Sequence, residues 1–251
     1  DRRDQPGTIA AASAADIETA LSNARPWSED AALRASALNR ADLQQALMLG
    51  LGEATCTIFP SGFWASAPGA ATHYPYDPER ARALLAEAGH PDGVVIETYS
   101  WPDQAAMQRT EIIGEQLAQV GIRLNITPMP PAQAMQVFMI EANGDMLISP
   151  TGGNLDPSLA YDRQFSASAL RNSGKIELPG YRELLDASLS ALDTETRREK
   201  LLELEQFVLE NALHLPQYMS AGMSIQTGKV KDFTFGTLTT PRFEAVWLDE
   251  A

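Results

Sequence analysis

An α/β fold is predicted by three features of the sequence. Val94 to Tyr99 reads as a strand, residues 104–120 as a helix and Ile122 to Thr127 as a strictly alternating, half-buried strand, which together make a βαβ unit expected to be right-handed. The rhythm then repeats, with a helix from Pro131 to about Ala142 and a short apolar strand at 145–149. At 251 residues and 44% hydrophobic, the chain suits one large domain or two smaller ones and buries a core without staples.

The elements follow in order. Residues 1–24 are rich in Ala, Ser and Asp and weakly patterned; they read as a loosely held arm or part of a neighbouring unit. Pro26-Trp27-Ser28 opens a helical stretch that runs to Leu49, where Gly50 and Gly52 end it. A Pro/Gly/aromatic loop, Phe59 to Tyr76, comes next, and a loop so long is usually functional or packed over a cleft. Asp77-Pro78-Glu79 starts a helix with a capping side chain, a proline at its first position and Gly89 after its end. His90-Pro91-Asp92-Gly93 is a turn into the first strand. Asp103 caps the next helix, whose apolar stripe includes Ile113, Leu117 and Val120, and Gly121 stops it. Further on, Tyr181, Leu184, Leu185 and Leu189 mark one helix, and Leu201, Leu204 and Val208 mark another over Thr194 to Asn211. Leu213 to Met219 and Lys231 to Phe235 read as strands, with short β pieces towards Trp247.

The composition and motifs exclude several functions. A formal net charge of −14 argues against partnership with nucleic acid or an anionic lipid surface. One cysteine, Cys56, rules out an intrachain disulfide. The N-terminal stretch has no apolar core and does not read as a signal peptide, so an export signal is expected to be removed or to lie outside these residues. There is no HExxH, no paired-cysteine spacing and no GxSxG elbow. Gly228-Lys229 fails as a P-loop because Met223 stands where its first glycine belongs and Val230 where Ser or Thr holds magnesium. Gly50-Leu51-Gly52 fails as a dinucleotide fingerprint because it follows a helix and Thr55 replaces the third glycine. No metal or cofactor is expected. His73, His90 and His214 read as structural or surface residues, Glu203 and Glu205 as residues of solvated helix faces, and Met135 and Met139 as core.

One stretch keeps two readings. In Ile148 to Phe165 an apolar strand breaks into Thr151-Gly152-Gly153-Asn154, and Asp156-Pro157 follows. Exposed backbone N–H groups, a hydroxyl and an amide at the C-terminal end of a strand suit a ligand loop, since open α/β sheets bind ligands there. The same residues also suit a tight turn before a helix.

The order of the elements resembles the family 5 extracellular solute-binding proteins of ABC importers, the dipeptide/oligopeptide-binding type. The segment from Tyr76-Asp77-Pro78 to His90-Pro91-Asp92-Gly93 is similar to the family's YDPxxAxxLLxEAGYPDG. Gln116 to Ile122 resembles QLxxIGI, Ala37 to Arg40 resembles AIDR, Leu49 to Gly52 carries a GxG, and Thr151 to Pro157 lies where dipeptide binders read close to TGDNGDP. Tyr181 to Leu185 resembles YDELL, and Leu215-Pro216-Gln217-Tyr218 matches a late xPxY strand. The likeness covers residues 22–251 and corresponds to the C-terminal part of a member.

The resemblance implies the C-terminal lobe of a two-lobed, type II periplasmic-binding-protein fold. Residues 1–24 would be a remnant of the first lobe, 25–228 the ligand-binding lobe, and 229–251 a tail returning towards the first lobe. It implies a solute-binding component of an ABC transporter rather than an enzyme, periplasmic or attached to the cell envelope. Its partners would be a small solute, the permease subunits and the N-terminal lobe of the same protein. A sensor module of the same fold, and behind it an enzyme, are the alternatives. The implied ligand-binding residues are Ser149, Thr151, Gly152, Gly153 and Asn154 of the loop, with Trp64 and Tyr218. For Phe63, Trp64 and Tyr74 the choice lies between cleft walls and aromatics packed under their loop. Peptide binders of the family carry in this loop an aspartate that takes the ligand's α-ammonium; here that position is Gly153. A buried cation without a counter-charge is costly, so a ligand without a free ammonium at this point is expected.

Overall fold

The computed structural model describes residues 37–152, 154, 156–236 and 240–249. The arm at 1–24 and the front of the helix expected from Pro26 lie outside them. Helix α1 spans Arg40–Met48, started by the Asn39 side chain, which accepts from Asp42 N–H at 3.3 Å. Leu49 turns left-handed at φ 53° and closes it, and Gly52 follows at φ 82°. Gly52 stands where the chain presses on another backbone: a Cβ there would lie 2.0 Å from the Met219 carbonyl oxygen. That close approach lets β1 (Glu53–Ala54) pair antiparallel with β5 (Tyr218–Met219).

The capped helices form where Asp and Pro place them. Asp77 accepts from Arg80 N–H to start α2 (Pro78–Glu87), and Asp103 accepts from Ala106 N–H to start α3 (Gln104–Ala118). Around them a parallel three-stranded sheet forms in the order β3-β2-β4, with β2 Val94–Ser100, β3 Ile122–Pro128 and β4 Met146–Ile148. Val94 lies opposite Ile122 in one pairing and Ser100 opposite Ile148 in the other. Alternate residues of β2, Ile96, Thr98 and Ser100, face inward, and with Leu43, Leu85, Ile113, Leu117 and Ile122 they close a first core.

A second, helical core lies beyond it. Helix α5 (Pro157–Phe165) is followed by α6 (Tyr181–Ser190) and α7 (Thr194–Glu210). Leu185, Leu201, Leu204 and Tyr181 are fully buried between them, and each such leucine contributes roughly 1.5–3 kcal/mol by leaving water. The long Phe59–Tyr76 loop is tied onto α7. Ser66 Oγ donates to Glu205 Oε1 at 3.0 Å, Ala67 N–H donates to Oε2 at 2.6 Å, and the Tyr74 hydroxyl donates to the Leu209 carbonyl.

Four expectations need correction. Glu205 does not lie on a solvated face: it is 2% exposed, because it sits one turn from Leu201 on the inward stripe of α7. Glu203 does face solvent, paired with Lys200 at 2.8 Å. The helix from Pro131 is regular only over α4 (Pro131–Ala134) and then widens into a π turn, Met135–Ile140. Of the strand expected over Leu213–Met219 only β5 pairs; Pro216 has no N–H to give, and its carbonyl accepts from Arg40 Nε at 2.8 Å. The strand expected over Lys231–Phe235 is split into β6 (Val230–Lys231) and β7 (Thr234–Phe235) by Asp232, left-handed at φ 56°. These pair with β9 (Trp247–Leu248) and β8 (Pro241–Arg242) respectively.

Candidate functional site

The site is set by the sheet order. Because β3 and β4 flank β2 on opposite sides, the connections diverge at the C-terminal ends of β2 and β4, where an open α/β sheet leaves a crevice. A cavity of about 730 Å³ lies there, between the two cores. Ile148 belongs to the first core and Phe59, Phe165 and Tyr181 to the second, and all four line it. The segment 149–152 and Asn154 forms one wall, 171–173 another, and 211–220 a third, while Arg109 of α3 and Met139 of the π turn reach it from the sheet side.

The ligand loop is braced from behind. Asp156 accepts from Leu159 N–H at 3.1 Å, capping α5, and its other oxygen pairs with Arg197 Nη2 of α7 at 2.6 Å. Arg197 Nη2 also donates to Ser158 Oγ at 3.0 Å. Burial alone would raise the Asp156 carboxyl; the Arg197 hydrogen bond and the backbone N–H of Leu159 outweigh it and hold the group below its ordinary value. Asp156 is therefore committed to structure. Asn154 is held by its Oδ1, which accepts from Arg163 Nη1 at 2.9 Å.

Of the residues expected at the site, Ser149, Thr151, Gly152, Asn154 and Tyr218 come together around this one cavity. Gly153 lies outside the described residues. Trp64 stands away from the lining; it is 39% exposed beside Phe63, with ring centroids 5.8 Å apart, and its carbonyl accepts from Arg198 Nε at 2.8 Å. Phe63 packs on Phe59 in the second core, and Tyr74 anchors to α7, so both serve the loop's packing.

The lining also holds residues that motif reading passed over. Arg109 sits between Ala106 and Ile113 on the inward stripe of α3; a charge on an otherwise apolar stripe is the signal that would have found it. Arg171 and Asn172 follow α5, and Asn172 Nδ2 donates to the carbonyls of Phe165 (3.0 Å), Ser166 (3.2 Å) and Ile176 (2.7 Å). His214, read as structural, lines the cavity with its ring edge-on to Phe165, centroids 6.1 Å apart. Part of its surface faces the cavity, yet the ring lies deep in the wall. Burial, and then the positive charge of Arg171, push its pKa down to about 4, so it is neutral at pH 7. No group of three or more His, Cys, Asp or Glu side chains is placed to hold a metal among the described residues. No helix among them is long and apolar enough to cross a membrane.

Comparison with known proteins defines the class. Residues 18–172 match the family model described as "Bacterial extracellular solute-binding proteins, family 5 Middle", and the chain belongs to that family. It is 26% identical over 208 residues to the probable di/tripeptide-binding protein 5 of Pseudomonas aeruginosa (strain UCBPP-PA14), covering 78% of this chain and 39% of that protein. It is 25% identical over 182 residues to the dipeptide-binding protein of Escherichia coli (strain K12), covering 70% of this chain and 34% of that protein. The chain thus spans little more than a third of these curated relatives. Among solved structures, the substrate-binding domain of an oligopeptide ABC transporter from Bacillus anthracis str. Ames superposes with a TM-score of 0.74 at 19% identity, covering 89% of this chain and 46% of that one. The fold expected from the sequence, an α/β lobe of the peptide-binding periplasmic type, is the one observed.

Proposed function

We propose that this chain is the ligand-binding lobe of the solute-binding component of an ABC importer, capturing a small solute in the cell envelope and delivering it to the permease. The observation that carries the reading is the cavity itself. In a family 5 member, it opens at the C-terminal ends of a parallel sheet and is lined by the loop that follows β4. Binding rather than catalysis fits the lining. Ser149 and Thr151 have no paired base among the described lining residues, and His214 hydrogen-bonds neither of them.

The solute would be clamped when a second lobe closes over this wall. We assign residues 25–228 to the lobe and 229–251 to a tail directed at that second lobe; the exposed Phe243, Trp247 and Leu248 of the tail supply an apolar contact surface for it. Protection of residues 240–249 from hydrogen exchange in the whole protein, lost when the first lobe is removed, tests the assignment. Among the described lining residues the sole carboxylate is Asp145, and its Oδ2 already accepts from Glu97 N–H at 2.9 Å. With Gly153 in the loop, the solute presents no free ammonium there.

A thermal-shift screen of the full-length protein against peptides, sugars and metal chelates tests the reading. A ligand at a hundred times its Kd raises stability by about 2.7 kcal/mol. N-acetylated peptides should match or exceed free dipeptides; tight binding of ordinary dipeptides would show that the ammonium has another partner here.

A further inference from the structure

We propose that Arg109, Arg171 and His214 form an anion subsite in this cavity, which takes the carboxylate of the bound solute. The inference rests on the solute-binding reading and names the chemistry of the solute.

Charge is the first ground. The chain as a whole is acidic, at a formal −14, yet the described lining of the cavity carries two arginines against one carboxylate. That carboxylate, Asp145, is turned to the Glu97 backbone, and neither arginine has an ion pair with any described residue. An acidic protein that places its unpaired cations in its one deep cleft reverses its own field there, which favours an anion inside.

Unmet hydrogen bonding is the second ground. Arg109 Nη2 and His214 Nδ1 are both buried and have no hydrogen-bond partner among the described residues. Buried polar groups are nearly always paired, and a guanidinium N–H has no acceptor role to fall back on. A carboxylate supplies what both lack: two oxygens, each able to accept from an N–H. His214 meets this demand with a donor at Nδ1 as the neutral imidazole, so no proton uptake is needed.

Construction is the third ground. Arg171 is close enough to His214 for its charge to depress the imidazole, so the two face the same space. Its backbone is fixed by the three carbonyl contacts of Asn172 and by Lys175 Nζ, which donates to the Ala169 carbonyl at 2.6 Å. Glu177, the acid of this loop, is already engaged, accepting from Ala167 N–H at 3.0 Å and pairing with Arg182 at 2.6 Å. The loop is rigid while the Arg171 side chain stays unpaired, which is how a recognition arginine is held.

The test uses the full-length protein and the smallest probes of this chemistry, acetate and its neutral isostere acetamide. Both are titrated at constant ionic strength, with the Arg Nε–Hε and His ring resonances followed by NMR. His214 is assigned through His214→Gln. Acetate is expected to shift Arg109, Arg171 and His214 saturably, acetamide not at all, and R171Q and R109Q should each weaken the acetate isotherm about tenfold. R171Q alters an exposed side chain and keeps the test open if R109Q fails to fold. Equal response to acetamide, unmoved resonances, or an acetate isotherm unchanged in R171Q overturns the subsite. If a neutral solute still stabilises the protein in the thermal screen, only the subsite is lost; if no solute and no acetate binds, the solute-binding reading falls with it.

Discussion

Glu205→Ala should destabilise the protein by about 3 kcal/mol, and Glu205→Gln by less than about 1 kcal/mol. The carboxylate is 2% exposed and accepts from Ser66 Oγ and Ala67 N–H, which pins the long Phe59–Tyr76 loop to α7. Alanine removes both acceptors. It leaves a buried hydroxyl and a backbone N–H unmet, at roughly 1–3 kcal/mol each, with partial relief from no longer burying a charge. Glutamine keeps an oxygen for Ala67 and offers an N–H to Ser66. The two variants should also differ from wild type in their response to acid. Burial raises the Glu205 carboxyl above its ordinary value, more than its two hydrogen bonds lower it, so the folded protein holds this proton more firmly than the unfolded chain. The sign follows: wild type gains stability relative to Glu205→Gln as pH falls through the raised folded value towards the ordinary carboxylate range, and loses that gain as pH rises. Urea denaturation at several pH values, with hydrogen exchange across residues 59–76, measures both effects. A Glu205→Ala protein within 0.5 kcal/mol of wild type, its loop still protected, would refute the anchoring argument.

Two further outcomes are expected. Gly52→Ala combines a left-handed φ of 82° with a Cβ 2.0 Å from the Met219 carbonyl, so β1 and β5 must separate; a loss of more than about 2 kcal/mol in urea unfolding, with displaced Tyr218 resonances, is the expected result. His214 titrates near 4 in the folded protein against an ordinary 6.5, so the unfolded chain binds protons first. Stability should therefore fall between pH 6.5 and 4, by roughly 3 kcal/mol at about 1.36 kcal/mol per pH unit. His214→Gln should flatten that slope relative to wild type in a pH series of melting curves.

Much of the fold was readable in the sequence because its signals are local. Asp77, Asp103 and Asp156 each cap the helix they were expected to start, and alternation marked β2 and β3. The errors arose where a distant residue decides. The strand expected at Leu213–Met219 is shortened by Arg40, 176 residues away in sequence, which takes the Pro216 carbonyl. The π turn after Ala134 leaves the apolar spacing of the segment almost unchanged, so no periodicity reveals it. The ligand loop was legible because glycines after a strand have few uses. The cationic part of the cavity was not, because Arg109, Arg171 and His214 come from three separate elements and share no motif. Trp64 shows the opposite failure: an aromatic in a long loop suggested a cleft wall, whereas its backbone serves to hold Arg198.

The position of the cavity between two separately packed cores bears on how such a protein changes over time. Its polar lining at 149–154 and 171–173 contributes no side chain to either apolar cluster. Substitutions there can exchange one solute for another without opening a void in either core, so novelty in diet and robustness of folding are under separate genetic control. A lineage can therefore retune what this wall recognises in single steps, each leaving a folded protein for selection to test.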